Sequence, residues 1–356
     1  MIEISGDILE GGGQILRNSI SLTTVANKSI RIFNIRAKRS KPGLRAQHIN
    51  AIKAVAKLAD AKVNGLTLGS NEIFFNPESI RGGSIRIDIG TAGSSSLVLQ
   101  ALMPVTSYSS NTVDIEIKGG TNTINAPPIE YIQKVLLPMI SKMGFKGFVD
   151  LKRRGFYPKG QGIINARFEP VKKINPIQLT EFGEVEAING ISHSSNLPPH
   201  IVERMAKSAS VALAEKGYSN VNIKTEVLRF GDPKCALDSG CELVLLAKLS
   251  SGSIIGTNSL GKIGKPAEKV GIEAAYNLLT QLKKSAPVDE HLADQLIPYM
   301  SIADGRSKIM TTELTLHTLT CIEVSKRILH IDFKVKGELG EPASIECDGI
   351  GLKNPI

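Results

Sequence analysis

Hydrophobic and polar positions alternate from the first residues of the chain. Ile2 and Ile4 flank Glu3, with Ile8 beyond, and this period of two predicts a strand. Glu10-Gly11-Gly12-Gly13 interrupts it, and from Gln14 to Ala26 apolar residues, Ile15, Ile20 and Leu22 among them, predict a helix. A second alternating run, Ile30 to Ile35, precedes a helix from Leu44 to Leu58 and two strands around Leu66 and Phe74. The order is βαβαββ.

The same order returns at once. Ser84 to Ile89 alternates, Gly90-Thr91-Ala92-Gly93-Ser94 forms a loop, and a helix from Ser95 to Ser107 follows. Then come a strand from Thr112 to Ile117, a helix from Pro128 to Met143 and strands near Val149 and Ile164. A third, shorter copy has a helix from His291 to Ile302, a strand from Lys308 to Leu314, a helix from Leu316 to Leu329 and strands near Phe333 and Ile345. No pattern marks its first strand.

Between the second and third copies the order changes. A strand at Val185-Glu186-Ala187, a helix from Ile201 to Lys216, strands near Ile223, Leu243 and Ile254, and a helix from Ala267 to Lys284 read as an inserted α/β domain. Gly155, Gly160 and Gly162 precede it and Ser285-Ala286-Pro287 leads out. The expected fold class is α/β of α+β type. Residues 1–182 and 287–356 form a large domain of three βαβαββ units, and 183–286 form a smaller inserted domain.

A chain of 356 residues is ample for two or three domains with sizeable cores. With 42% hydrophobic and 22% charged residues it is neither a disordered nor a membrane-embedded sequence. No apolar run reaches the roughly 18 residues of a spanning helix, so no membrane partner is expected. The first residues lack the basic-then-apolar pattern of a signal peptide, and a cytoplasmic protein is expected. Four cysteines make no disulfide framework. Cys235 and Cys241 could form a disulfide or half a metal site, but with no histidine pair beside them two ordinary thiols are favoured.

The 43 Lys and Arg against 34 Asp and Glu give a net charge of +9, which attracts phosphates. A merely solvated surface would show the same excess, so clustering decides. The densest cluster is Arg36 to Arg45, where Pro42 and Gly43 keep the chain out of regular structure. Lys152-Arg153-Arg154-Gly155-Phe156-Tyr157-Pro158-Lys159 adds aromatic groups able to stack on bases. Glu10 to Arg17 is a glycine run between a strand and a helix start, where backbone N–H groups hold an anion or simply make a tight turn. Gly90 to Ser96 is its counterpart in the second unit.

His48 lies on the apolar stripe of its helix, as a satisfied core histidine also would. His193, His200 and His330 have no supporting pattern, and nothing suggests a zinc cage. His317 falls in the first turn of a helix, where the dipole disfavours the protonated ring and keeps it nucleophilic. Asp294 lies three residues beyond His291 near another helix start, where it can complement the dipole or join Glu10 on a hard cation.

Together these segments resemble the RNA 3′-terminal phosphate cyclases. The resemblance runs through EGGGQILR (Glu10 to Arg17), RAKRSKPGLRAQH (Arg36 to His48), GTAGS (Gly90 to Ser94), GGTNTINAPP (Gly119 to Pro128), GFYPKGQG (Gly155 to Gly162), LADQL (Leu292 to Leu296) and HTLTC (His317 to Cys321). It implies three βαβαββ units with a thioredoxin-like insert. The implied reaction is ATP-dependent conversion of an RNA 3′-phosphate end to a 2′,3′-cyclic phosphodiester, through histidyl-AMP on His317 and an RNA-adenylate. AMP and pyrophosphate would be released, with Mg2+ or Mn2+ assisting.

By the resemblance, Glu10, Gln14, Gln47, Pro127, Pro128, His291, Asp294 and Gln295 would hold the nucleotide, His291 and one of the two prolines sandwiching adenine. Arg17, Arg39 and His48 would contact the RNA phosphate, and Glu10 and Asp294 the metal. The sequence departs from the family at His291, where some relatives have tyrosine, at Gln161, where glycine is common, and at Cys321, where asparagine is common. The insert has no Cys-x-x-Cys, so no redox activity is expected of it. Two rivals share the fold: an inert ribosome-assembly factor, disfavoured by His317 with Glu10 and Asp294, and an enolpyruvyl transferase, disfavoured by the single insert and the basic connection. Oligomeric state stays open, a homo-oligomer included.

Overall fold

The first unit begins with β1 (Ile2–Ser5), which ends before Ile8 because Gly6 lies flat against the backbone of Asn34 and Ile35 and leaves no room for a side chain. Helix α1 (Gly13–Val25), β2 (Ile30–Phe33) and α2 (Ala46–Leu58) follow. The third strand, β3 (Lys62–Asn64), lies earlier than the position expected around Leu66, because Gly65 at φ +79° turns the chain before that residue. β4 (Ile73–Asn76) closes the unit. The computed structural model describes residues 1–355.

The second unit comprises β5 (Gly83–Asp88), α3 (Ser95–Thr106), β6 (Val113–Gly119), a long helical segment, β7 (Lys146–Arg153) and β8 (Gly162–Glu169). The segment is α4 (Ile129–Tyr131), a wider π-helical turn (Ile132–Leu136) and α5 (Leu137–Ser141), rather than one regular helix. Pro138 has no amide hydrogen for the preceding turn, a common reason for the spacing to change.

The first strand of the third unit is β9 (Gln178–Leu179), only two residues long. It pairs in parallel with Lys308 and Ile309 of β14 (Arg306–Thr311). Before β14 comes α8 (Glu290–Ile302), and after it α9 (Leu316–Leu329), β15 (Phe333–Lys336) and β16 (Ala343–Asp348). The extra segment thus interrupts the third unit between its first strand and first helix, instead of standing between units. Read from its own first strand, each of the three sheets has the order first, second, fourth, third. In each, the first two strands are parallel and the others antiparallel.

The interrupting segment makes its own four-stranded sheet. β10 (Val185–Ser195) runs well past the expected Ala187, because its partners continue the ladder on both sides. Around it lie α6 (His200–Ala214), β11 (Val221–Leu228), β12 (Gly240–Leu249), β13 (Ile254–Leu260) and α7 (Ala267–Lys283), in the sheet order β11-β10-β12-β13. Its core, with Val202, Met205, Leu243, Leu245 and Leu278, is separate from the one shared by the three units. Cys235 and Cys241 are free buried thiols.

Helix α1 packs on α9, α3 and α2, and α8 packs on α9. Several of its buried hydroxyls bond along and across helices: Ser21 donates to the Ala101 carbonyl at 2.6 Å and Thr24 to the Ile20 carbonyl at 2.7 Å. This packing brings the start of α1 to the start of α9. The site is built there.

Candidate active site

Thr315 caps α9 by accepting the Thr318 N–H at 3.1 Å, which fixes the first turn and the direction of His317. His317 is 53% exposed. Its Nδ1 lies 2.8 Å from Gln14 Oε1 on α1. The Gln14 amide is oriented by two acceptors, Asp294 Oδ2 at 2.6 Å and Cys321 Sγ at 3.0 Å, so its oxygen must face the ring. His317 therefore donates through Nδ1, and Nε2 keeps the lone pair. Asn18 Nδ2 also reaches Cys321 Sγ, at 2.8 Å. The thiol thus accepts from two side chains of α1 and bears on the histidine through Gln14.

The His317 pKa is lowered, chiefly by loss of solvent, with Arg17, Arg39 and His291 adding to the fall and Asp294 opposing it. The direction is the one expected from the helix start, but loss of solvent is its leading cause. The same burial raises the Asp294 carboxyl, against His317, His291, Gln14 and Arg17. It also brings Arg17 down to about 10, against Asp294 and Cys321.

Glu10 meets His317 from the glycine run, its Oε2 lying 3.8 Å from Nδ1. Arg39 forms an ion pair with the other oxygen. Both Glu10 oxygens are buried, and Oε2 takes no hydrogen bond. Around the same turn His48 is buried and accepts the Arg45 N–H on Nδ1 at 3.2 Å, leaving Nε2–H directed at Gly13. A side chain at Gly13 would collide with His48 and crowd Arg17, so glycine is required there. The His48 pKa falls to about 3, by burial first and then by Arg17, Arg36 and Arg45. Nε2–H of His48, the uncapped start of α1, Arg17 and Arg39 make an anion-binding corner.

A cavity of about 900 Å³ opens beside this corner. Gln14, Arg17, Pro127, His291, Asp294, Gln295 and His317 line it. Pro128 instead caps α4 and is buried outside the lining. Gln47 stands apart as well, its Oε1 accepting the Ser94 N–H at 3.3 Å and tying the start of α2 to the second glycine loop. Asp289 caps α8 with Oδ1, at 3.0 Å from the His291 N–H, and takes the Tyr131 hydroxyl at 2.6 Å, which holds His291 and Asp294 in place.

Other lining residues gave no sequence signal. Gln100 donates to Gln295 Oε1 at 2.7 Å, and the whole turn from Asn258 to Pro266 of the extra segment forms one wall. Among the described residues no three His, Cys, Asp or Glu side chains gather as a metal cage, and no helix is long and apolar enough to cross a membrane.

The remaining motif segments support this wall. Gly120 donates to the Gly93 carbonyl and Thr121 to the Gly155 carbonyl, at 2.8 and 2.9 Å. Gln161, in place of glycine, sits at φ +56°, a conformation glycine adopts freely. Arg153 holds it there by gripping its carbonyl at 2.9 and 2.7 Å.

A sequence profile described as RNA 3′-terminal phosphate cyclase matches residues 8–335. The chain belongs to the RNA 3′-terminal phosphate cyclase family. It is similar to proteins of that name from Pyrococcus furiosus (44% identity; 97% of this chain, 98% of the relative) and Ignicoccus hospitalis (43%; 98% and 99%). The protein of that name from Methanopyrus kandleri is 41% identical over 97% of this chain and 98% of its own length. In this chain the histidine of HTLT, the glutamate of EGGG and the aspartate of LADQ, His317, Glu10 and Asp294, meet around one corner.

Proposed function

We propose that this protein converts RNA 3′-phosphate ends to 2′,3′-cyclic phosphodiesters in the cytoplasm, with ATP as co-substrate and through a covalent histidyl-AMP. Residues 1–182 and 287–356 form the catalytic body in this reading, with 183–286 as its insert. The observation that carries it is the Nδ1 bond of His317 to Gln14, which leaves Nε2 free as a nucleophile beside a nucleotide-sized cavity.

In the first step the Nε2 lone pair forms a P–N bond to the α-phosphorus of ATP, and the P–O bond to pyrophosphate breaks with its electron pair. The ring becomes cationic, and Gln14 Oε1 with the nearby Glu10 carboxylate steadies that charge. An RNA 3′-phosphate oxygen, held by Arg17, Arg39 and His48, then displaces Nε2 from the AMP phosphorus. Finally the oxygen of the adjacent 2′-hydroxyl bonds to the terminal RNA phosphorus, the P–O bond to AMP breaks with its electron pair, and the hydroxyl proton passes to solvent. Because that hydroxyl is on the same ribose, ring closure needs little further orientation.

A divalent ion fits the donor set in one respect: buried Glu10 Oε2 takes no hydrogen bond, and hard cations favour such an oxygen together with phosphates and water. Glu10 and Asp294 would hold Mg2+ or Mn2+, which offsets negative charge on phosphate oxygens. Purine would lie between His291 and Pro127, with Gln295 beside it.

Incubation with ATP labelled in the α-phosphate tests the reading. Acid-labile label on the denatured wild-type chain, absent from His317→Ala, is the expected result. Absence of label with either metal would reject the histidyl-AMP route and favour the inert assembly-factor alternative.

A further inference from the structure

The turn between β13 and α7 belongs to the extra segment, yet Asn258 to Pro266 line the same cavity as His317 and His291. Its architecture is that of a fixed wall. Lys265, almost fully buried, donates to Ser259 Oγ at 2.9 Å and pairs with Glu273 at 2.8 Å, closing the turn on itself. Asn258 Nδ2 donates to Glu242 Oε1 at 2.5 Å, and the other oxygen of Glu242 takes the amide of Asn122. Asn122 precedes Thr123 to Pro127, the facing wall of the cavity. One buried carboxylate therefore joins the two walls.

The tip of this turn carries two side chains that the rest of the fold does not use. Ile263 is fully exposed, as is most of Ile124 on the facing wall, and both border the cavity. Lys262 is exposed and has no carboxylate within salt-bridge distance among the described residues. A purine between His291 and Pro127 would share the large cavity with these groups, all of which line it.

We infer that Lys262 and Ile263 are nucleotide-binding residues, Ile263 covering the base with Ile124 and Lys262 meeting the charged portion of the nucleotide, so that the extra segment completes the ATP site. This rests on the ATP-dependent reading above. Apolar cover removes base surface from water, and a cation at a half-enclosed site favours the polyanion. Both contacts act on bound ATP before and during phosphoryl transfer, so they contribute to affinity more than to rate.

The test measures self-adenylation rate against ATP concentration for wild type, Lys262→Ala and Ile263→Gly, with Lys216→Ala at the exposed end of α6 as a control for net charge. Each tip variant should raise the ATP concentration for half-maximal rate about 5- to 10-fold, with the saturated rate within about twofold. The control should match wild type. A half-maximal concentration unchanged in both tip variants, or shifted equally in the control, would overturn the inference. Failure of the wild type itself to label would instead reject the histidyl-AMP reading, and direct titration with ATP would then still decide whether the tip binds nucleotide.

Discussion

His317 and Gln14, 303 residues apart in sequence, meet through a 2.8 Å bond from Nδ1 to Oε1. The amide is itself held by Asp294 and Cys321, so a carboxylate orients an imidazole through an intervening amide.

Gln14→Met keeps the volume and removes both the acceptor for Nδ1 and the donors to Asp294 and Cys321. The rate of histidine adenylation at saturating ATP should fall about 10- to 100-fold, because the ring loses its fixed tautomer and direction. Single-turnover labelling measures it. A variant that loses only ATP affinity would place Gln14 in binding instead of orientation.

The depressed pKa of His317 sets the sign of the pH response. Neutral imidazole is the nucleophile, and its fraction is lost as pH falls through the folded value. Labelling should therefore be flat above the ordinary histidine value of 6.5 and decline only below it. A rate still rising between pH 7 and 8 would mean that another group limits it.

Arg39 pairs with Glu10 and stands near the start of α1. Arg39→Ala should weaken binding of a 3′-phosphate RNA end more than of a 3′-hydroxyl end, and both should weaken as salt rises. Equal losses for the two ends in a filter-binding titration would assign Arg39 to the general backbone.

Buried Glu242 has its pKa raised to about 7, by burial and then by Glu130, with Asn122, Asn258 and Arg154 opposing. The folded chain keeps this proton where the unfolded chain, with a value of 4.5, has released it. Glu242 thus contributes stability below 4.5 that is lost as pH rises through about 7. His193 nearby is held neutral and slopes the other way. Glu242→Gln removes the first slope alone, so its Tm relative to wild type should rise by about 2 °C or more from pH 5 to pH 8. A constant difference across that range would contradict the raised value.

Much of this architecture was legible because it is periodic. The helices carrying Gln14, His48, Asp294 and His317 have apolar faces long enough to declare themselves, and a glycine run marks the loop before the first of them. β9 was illegible because two residues have no period, and its existence depends on β14 lying beside it. The Gln14 bond was hidden for a similar reason. A glutamine in a helix says nothing of its partner until α1 and α9 are packed. The wall from Asn258 to Pro266 escaped because its chemistry comes from a neighbour, Glu242, on another strand. Cys321, one of the departures from the family pattern, accepts from both Gln14 and Asn18, which no sequence pattern announced.

The two-residue strand β9 also dictates an order of events during folding. The residues around it meet the β14 edge across 130 positions of sequence, as in the bond from the Ile177 N–H to Ser307 Oγ. Closing so long a loop in an open chain carries an entropy penalty that two ladder pairs do not offset. With its own sheet and core, the intervening segment can collapse first, and its folded body shortens the effective loop to the few linking residues at either end. The interruption then acts as a clasp, and β9 is expected to join the otherwise local third sheet only after the clasp has formed.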